Sequence, residues 1–96
     1  MISLIARYQV HYDRTQKVVD LVRRFVRNVR ASEPRTLYQA LQLDDEVSFL
    51  HAMTFPDEAA ERAHQTASYT RDFESALFDL CVDPLRYEKA RSIGDS

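Results

Sequence analysis

The sequence has 96 residues, of which 45% are hydrophobic and 29% are charged, and its formal net charge is −2. A chain of this length forms one domain, and its composition is that of a globular protein rather than a disordered or fibrous one. The slight overall acidity argues against a nucleic-acid partner. We therefore expect a single domain over residues 1–91 and a loose C-terminal tail over residues 92–96.

Cysteine content and hydropathy indicate the cellular compartment of the protein. Cys81 is the only cysteine, so no disulfide can form within the chain, and the thiol is most simply an apolar filler in a reducing environment. The N-terminal segment turns polar by Arg7, too early for the apolar part of a signal peptide, and no stretch approaches the ~20 apolar residues that cross a membrane. These features predict a cytoplasmic protein without a membrane partner.

The first third of the chain predicts a strand followed by a helix. Apolar residues alternate with others over Ile2–Val10, with the period of a strand. Asp13 stands three residues before Gln16, which is the spacing of a helix capping box. Apolar residues then recur at helical spacing, and Glu33-Pro34 is expected to end this helix.

A hairpin is predicted next. Residues 36–43 and 46–55 are rich in Leu, Tyr, Val and Phe, which is typical of strands, and the pair Asp44-Asp45 between them suits a tight turn.

The last third predicts helical segments and a short strand. Pro56 and the acidic residues after it mark a helix start, and Ser68 is expected to cap a further helical piece that includes Cys81. Pro84 would close that piece. Residues 85–90 alternate briefly and are predicted to be an edge or interface strand.

The order strand, helix, strand, strand, helix, strand is that of the ferredoxin-like α+β fold, βαββαβ. In it a four-stranded antiparallel sheet carries its helices on one face. The other face would then be bare and would expose an apolar patch too large for a stable monomer. We therefore expect a homodimer in which two such sheets pack face to face.

Several segments of the sequence resemble those of a known family. The run Phe55-Pro56-Asp57-Glu58-Ala59-Ala60-Glu61-Arg62-Ala63-His64 resembles the aromatic, acidic, paired-alanine and Ala-His run of antibiotic-biosynthesis monooxygenase domains. Phe73 continues the similarity, and Ser32-Glu33-Pro34 resembles the entry to the family's second strand. The resemblance covers nearly the whole chain. It implies a dimeric α/β barrel and a monooxygenase that oxidises a quinol or polycyclic phenol with dioxygen, without a cofactor or a metal.

Three residues are candidate catalytic groups, namely His64, His51 and Tyr69. By the resemblance, His64 is the family's helix histidine, and Tyr69 stands where many members carry a second one. His51 alternates with apolar residues on the third strand. Histidine and tyrosine suit a base near neutral pH and a donor to a developing oxyanion. For His51 the alternative is an ordinary core or interface position. For His64 it is helix packing or stabilisation of the C-terminal end of the helix dipole.

Five further residues are candidates for substrate binding. Arg7 and Tyr38 are predicted to lie on strands opposite the main apolar faces, where each could bind a ligand oxygen. Phe49, Phe55 and Phe73 could form an aromatic wall for a planar ligand. In the alternative interpretation, Arg7 and Tyr38 are ordinary surface or interface polar residues and the three phenylalanines are core residues.

Two other functions stay open at this point. One is a non-catalytic dimeric module that binds an aromatic ligand or a partner enzyme. A pocket of roughly 300 Å³ or more between sheet and helices, with a histidine in its wall, would favour the enzyme, whereas a filled core would favour the module. The other is a haem-binding or haem-degrading relative. Ten residues after His64, where those relatives carry their axial histidine, this chain has Glu74.

Overall fold

A four-stranded antiparallel sheet organises the structure, which is a computed structural model describing residues 1–94. The strand order is β2-β3-β1-β4. The elements are β1 (Ile2–Val10), α1 (Thr15–Ser32), β2 (Leu37–Gln42), β3 (Ser48–Phe55), α2 (Glu58–Thr66), α3 (Ser68–Phe78) and β4 (Cys81–Ala90). The predicted ferredoxin-like α+β class is confirmed, with the second helical region divided in two. Within one chain the sheet is open and does not close into a barrel.

The helices cover one face of this sheet. Alternate side chains of the two central strands point toward them and are buried; these are Leu4, Ala6, Tyr8 and Val10 of β1 and Phe49, His51, Met53 and Phe55 of β3. The facing helical residues are Val18, Val22, Phe25 and Val29 of α1 and Phe73 and Leu77 of α3. Their three- and four-residue spacing is the apolar stripe expected of an amphipathic helix. Burying each such side chain stabilises the fold by roughly 1.5–3 kcal/mol.

The start of α1 differs from the prediction. The capping box at Asp13 is wrong, because α1 has Arg14 at its N-cap and no side chain caps it. A single 3₁₀ turn over Tyr12–Arg14 leads into the helix instead. There the amide of Arg14 donates to the carbonyl of His11 at 2.9 Å, so the backbone satisfies its own groups.

The hairpin is also looser than predicted. Five residues, 43–47, connect β2 to β3 in place of a two-residue turn. The Asp45 carboxylate accepts from the amides of Val47 and Ser48 at 3.0 and 2.8 Å and from the Ser48 hydroxyl at 2.6 Å. These bonds, chiefly that from the Ser48 hydroxyl, hold the pKa of Asp45 below its usual value. Glu46 adopts the left-handed conformation, with φ of 69°. A carboxylate that accepts hydrogen bonds from nearby amides stabilises a loop, in competition with further hydrogen bonding between β2 and β3.

The boundary between α2 and α3 is close to the prediction. Asp57 caps α2 by accepting from the amide of Ala60 at 2.8 Å, as the acidic start implied. The predicted break falls at Ala67, whose extended backbone separates the helices. Ser68 is the first residue of α3 rather than its cap.

The last strand is longer than predicted. Leu80 and Cys81 do not continue a helix, because α3 ends at Phe78 and Cys81 pairs with Val10 of β1. Pro84 lies inside β4 rather than at a helix end. An edge strand tolerates this residue because one side of its ladder is unpaired. Residues 91–94 lack regular secondary structure, and the remaining two residues of the predicted tail lie outside the described residues.

The face of the sheet away from the helices carries apolar and charged side chains. Ile5 of β1 neighbours Ala52 of β3, and Leu50 of β3 neighbours Leu41 of β2. No helix covers this side in the part of the chain that the structure describes. We call it the bare face.

Candidate functional site

Two hydrogen-bonded groups of side chains lie on the helix side of the sheet. The first, which we call the tyrosine–histidine chain, consists of Tyr8, His51 and Tyr38. The second, which we call the carboxylate cluster, consists of Glu33, His64 and Tyr69. Together they contain all three residues that the sequence proposes as catalytic.

The strand register assembles the tyrosine–histidine chain. His51 is flanked across the strands by Ala6 and Ala40, whose small side chains leave room for the imidazole. The two tyrosines lie on the neighbouring strands at the diagonal positions, which aromatic side chains can span. The Tyr8 hydroxyl lies 2.8 Å from Nε2 of His51, and the Tyr38 hydroxyl lies 2.6 Å from Nδ1. Both nitrogens of a ring that is 1% exposed are therefore satisfied.

Burial fixes the protonation state of this chain. Loss of solvent, followed by the nearby His64, lowers the pKa of His51 from 6.5 to about 4. Burial likewise raises the pKa of Tyr8 and of Tyr38 well above the usual value of a phenol. Near neutral pH the chain therefore contains a neutral imidazole between two neutral phenols.

The carboxylate cluster joins four elements at the C-terminal end of α1. Oε2 of Glu33 accepts from the hydroxyl of Tyr69 and lies 2.7 Å from Nδ1 of His64. Oε1 accepts from the Thr36 hydroxyl at 3.2 Å. Burial, together with the Glu33 carboxylate, raises the pKa of Tyr69. The carboxylate thus holds the starts of β2 and α3 and the end of α2 against α1.

Phe25 packs between the two groups. Its ring stacks on Phe73 with centroids 4.4 Å apart, and lies 5.6 Å from Tyr38, 5.8 Å from His64 and 6.0 Å from Tyr69. The space between sheet and helices is consequently filled with rings. His64 is only 2% exposed, as deeply buried as His51.

A cavity of about 370 Å³ lies next to the carboxylate cluster, between the end of α1 and α2. Glu33 lines it together with Ala60 and Ala63, and neither His51 nor His64 is part of its wall. Arg35 and Asp57 also line it, and their charged groups approach to 3.6 Å. The cavity is large enough for a small ring compound. Of the groups in the two clusters, a ligand here would meet Glu33 first.

Seven of the eight predicted site residues lie on the helix side of the sheet, in or against the core; these are Tyr38, Phe49, His51, Phe55, His64, Tyr69 and Phe73. Phe49 stacks on Tyr8 at 5.2 Å, and Phe55 lies 5.3 Å from His64. Placing Tyr38 opposite the apolar faces is wrong, since it packs against the helices. Arg7 is exposed on the bare face, with Nε 3.9 Å from Oε1 of Glu88, and does not join the others.

Sequence reasoning missed Glu33, Phe25 and Tyr8 as members of the site. Phe25 and Tyr8 look like ordinary core positions, so no local signal marks them. Glu33 does carry one. A carboxylate at the C-terminal end of a helix opposes the helix dipole, so its presence beside Pro34 indicates a specific partner elsewhere in the fold.

The family model described as Antibiotic biosynthesis monooxygenase matches residues 1–76 of this sequence. The chain belongs to the antibiotic biosynthesis monooxygenase family. The resemblance drawn from the Phe55 to His64 segment is therefore confirmed. The matched part of this family member contains both hydrogen-bonded groups and ends before β4.

Solved structures give the same fold for this antibiotic biosynthesis monooxygenase family member. The crystal structure of an antibiotic biosynthesis monooxygenase superposes with a TM-score of 0.88 and 19% identity, covering 98% of this chain and 100% of that one. A Mycobacterium tuberculosis protein gives 0.86 and 14%, covering 99% and 97%. A Nitrosomonas europaea protein of unknown function gives 0.83 and 19%, covering 99% and 91%. At these identities the likeness shows the fold alone, and no curated protein sequence matches the chain.

Three further observations concern metal binding, membrane insertion and haem binding. Over residues 1–94, no group of three or more histidine, cysteine or acidic side chains is placed to hold a metal ion, and no helix is long and apolar enough to cross a membrane. Glu74, at the position where haem-degrading relatives carry a histidine, accepts a hydrogen bond from Tyr87.

Proposed function

We propose that this chain is a cofactor-independent monooxygenase that oxidises a quinol or polycyclic phenol with dioxygen, using the carboxylate cluster as its base. The supporting observation is that Glu33 lines a cavity of about 370 Å³ while His64 and Tyr69 hold its carboxylate from behind. A carboxylate and an imidazole in contact can share a proton taken from a ligand. Family membership supports the same class of reaction.

The proposed step is balanced without an added reductant. An anthrone-type substrate loses a proton from its ring CH₂ to the Glu33–His64 pair and becomes an electron-rich carbanion. The carbanion gives two electrons to dioxygen, a C–O bond forms, and the returning proton completes a hydroperoxide. Loss of water then leaves a ketone in place of the CH₂, so one oxygen atom enters the product and the other leaves as water.

Access decides which group acts as the base. His51 would be the base if a ligand could reach it, but Tyr8 and Tyr38 already occupy both ring nitrogens. Glu33 is the member of the two groups that lines the cavity. Its carboxylate has about four acceptor positions, and Tyr69, His64 and Thr36 use three of them, so a ligand proton can still be accepted. We therefore assign proton removal to Glu33 and the orientation of its carboxylate to His64 and Tyr69.

Oxygen uptake tests this assignment. The purified, metal-stripped protein is expected to consume oxygen with a panel of hydroquinones and anthrones, after subtraction of autoxidation. Glu33→Gln should lower the rate by about 100-fold, the size expected for a lost general base. Glu46→Gln, in the exposed hairpin loop, is the matched control and should leave the rate unchanged.

Several results of the oxygen-uptake experiment would contradict the proposal. Each variant is first compared with the unchanged protein by circular dichroism, so that unfolding is not mistaken for lost chemistry. Equal uptake by Glu33→Gln and Glu46→Gln would contradict the role of Glu33. A His51→Gln variant that loses uptake while Glu33→Gln keeps it would move the base to the tyrosine–histidine chain. No uptake above background on any ring would reject the oxygenase for this panel.

A specific observation favours a second candidate, a non-catalytic module that binds an aromatic ligand. The space between sheet and helices is filled, and both histidines there are almost fully buried. A filled core, in place of a pocket with a histidine in its wall, is what we expect of a non-catalytic module. Saturable binding of a fluorescent anthraquinone without oxygen uptake, abolished by Ala60→Trp in the cavity wall, would support this candidate over the enzyme.

We also propose that two copies pair through the bare face. Its apolar side chains include Leu37 and Leu41, which are 68% and 45% exposed, together with the half-buried Ile5 and Leu50. Contiguous apolar surface of this kind is typical of protein interfaces. Packing two sheets at about 10 Å would cover these residues and would give the dimeric α/β barrel that the resemblance implies.

Sedimentation tests the dimer. Ile5→Glu is expected to shift the protein from dimer to monomer, because the dimer would bury its unpaired carboxylate. Phe78→Glu is the matched control, since Phe78 is also apolar and exposed but lies on α3. Dissociation by the control and not by Ile5→Glu would place the interface elsewhere.

A further inference from the structure

The tyrosine–histidine chain contains one hydrogen more than its internal bonds use. Two phenols and a neutral imidazole carry three polar hydrogens, but only two contacts join them, at 2.8 and 2.6 Å. One tautomer has Tyr38 donating to Nδ1 while Nε2 donates to Tyr8, and the other reverses both bonds. In either tautomer one ring nitrogen accepts a hydrogen bond from a phenol. The imidazole is therefore already placed to receive that phenol's proton.

We infer that Tyr38 and His51 form a redox site, in which Tyr38 gives one electron to an organic peroxyl or phenoxyl radical while its proton moves to His51. The shorter of the two contacts, 2.6 Å, joins these residues. Tyr38 is half-buried and lies on an edge strand, whereas Tyr8 is 3% exposed. Tyr38 is therefore the member of the chain closest to a diffusing oxidant. This inference does not rest on the proposed monooxygenase activity.

The step balances in atoms and charge. The Tyr38 O–H bond breaks, its proton forms an N–H bond at Nδ1 of His51, and one electron passes from the phenol to the oxidant. An organic peroxyl radical becomes a peroxide anion, which takes a proton from water and leaves as a hydroperoxide. The hydroxide left in the solvent balances the charge gained by His51. The protein then contains a neutral phenoxyl radical beside an imidazolium, whose other N–H donates to the oxygen of Tyr8.

The surroundings favour this coupled transfer over loss of the electron alone. A bare phenol cation radical would place an unpaired charge in the core, which is costly. Moving the proton along one hydrogen bond places the positive charge on the His51 ring instead. Both nitrogens of that ring lie within hydrogen-bond distance of a tyrosine oxygen. Burial lowers the pKa of His51, which leaves the imidazole unprotonated before the step but also makes it a weaker base. The proton still moves to it, because an oxidised phenol is a far stronger acid than an imidazolium. Phe25 packs edge-on against Tyr38 at 5.6 Å and partly shields its ring.

Pulsed oxidation of the unchanged protein tests the inference. Azide radicals generated by a short pulse are expected to produce a phenoxyl absorbance. This absorbance should persist in Tyr12→Phe, which removes the most exposed of the five tyrosines, at 78% exposure. Tyr38→Phe should remove the long-lived signal. His51→Gln should slow its formation by about 100-fold, as expected when a positioned base is lost.

A second measurement needs no variant. Electron–nuclear double resonance of the radical in the unchanged protein should detect a strongly coupled hydrogen-bond proton. The signal of this proton should disappear in deuterated water. Its absence in ordinary water would overturn the inference, even if His51→Gln or Tyr38→Phe failed to fold. A signal lost in Tyr12→Phe and kept in Tyr38→Phe would also overturn it. So would a His51→Gln variant that only lowers the melting temperature and leaves the rate of radical formation unchanged.

Discussion

Replacing Phe25 by alanine is expected to lower the free energy of unfolding by about 4 kcal/mol, within the range for removing a buried phenylalanine. The ring is 4% exposed and contacts both hydrogen-bonded groups. Its stacking on Phe73 at 4.4 Å would also be lost. The resulting cavity cannot collapse easily, because Tyr38 and His64 are fixed by hydrogen bonds to His51 and Glu33.

Urea denaturation measures this effect. The expected change is a lower midpoint with an unchanged slope. Phe78→Ala is the control, since the same ring on α3 is 70% exposed, and it should change stability by no more than about 0.5 kcal/mol. Similar losses for the two variants would contradict the central position of Phe25.

Acid is expected to destabilise the protein by about 3 kcal/mol through His51 alone. The pKa of His51 falls from 6.5 to about 4 on folding, and each unit is worth about 1.4 kcal/mol. The unfolded chain binds a proton at this residue below pH 6.5, whereas the native chain binds it only below about pH 4. The unfolded state therefore holds more protons between these values, and stability falls as the pH is lowered through that window. Below it the loss from His51 is complete.

Thermal or urea unfolding at several pH values tests this dependence. Other groups also titrate, so the informative quantity is the difference between the unchanged protein and His51→Gln. The variant removes the titrating ring and should show a flatter profile between pH 6.5 and about 4. Parallel profiles would show that burial does not shift the pKa of His51 as inferred.

The sequence predicts most of the fold because the strands and helices carry clear periodicity. Alternation over β1 identified both its extent and its buried face, and the spacing from Val18 to Val29 did the same for α1. β2 is the exception. Leu37 and Leu41 suggest that their side of the strand faces the helices, but Tyr38 and Ala40 do so instead. Where apolar residues occupy both faces of a strand, the period alone does not show which face meets the helices.

The candidate site is less predictable because its hydrogen bonds join distant parts of the chain. Glu33 meets His64 and Tyr69, which lie 31 and 36 residues away. Tyr8 and His51 are separated by 43 residues. Alternation with apolar residues identified His51 as a candidate, and the family resemblance identified His64. The register of three strands decides that His51 meets two phenols. The role of Glu33 follows only when the end of α1 is placed beside α2.

Pro84 has a consequence for how the sheet ends. β4 forms one edge of the sheet, and this proline leaves the edge strand with one amide donor fewer. The other edge, β2, contains no proline over Leu37–Gln42. The two edges are therefore unequal in their resistance to ordered aggregation. A concentrated solution of this protein would be expected to begin fibrous growth from β2, and a proline placed at an outward-facing amide there would oppose it.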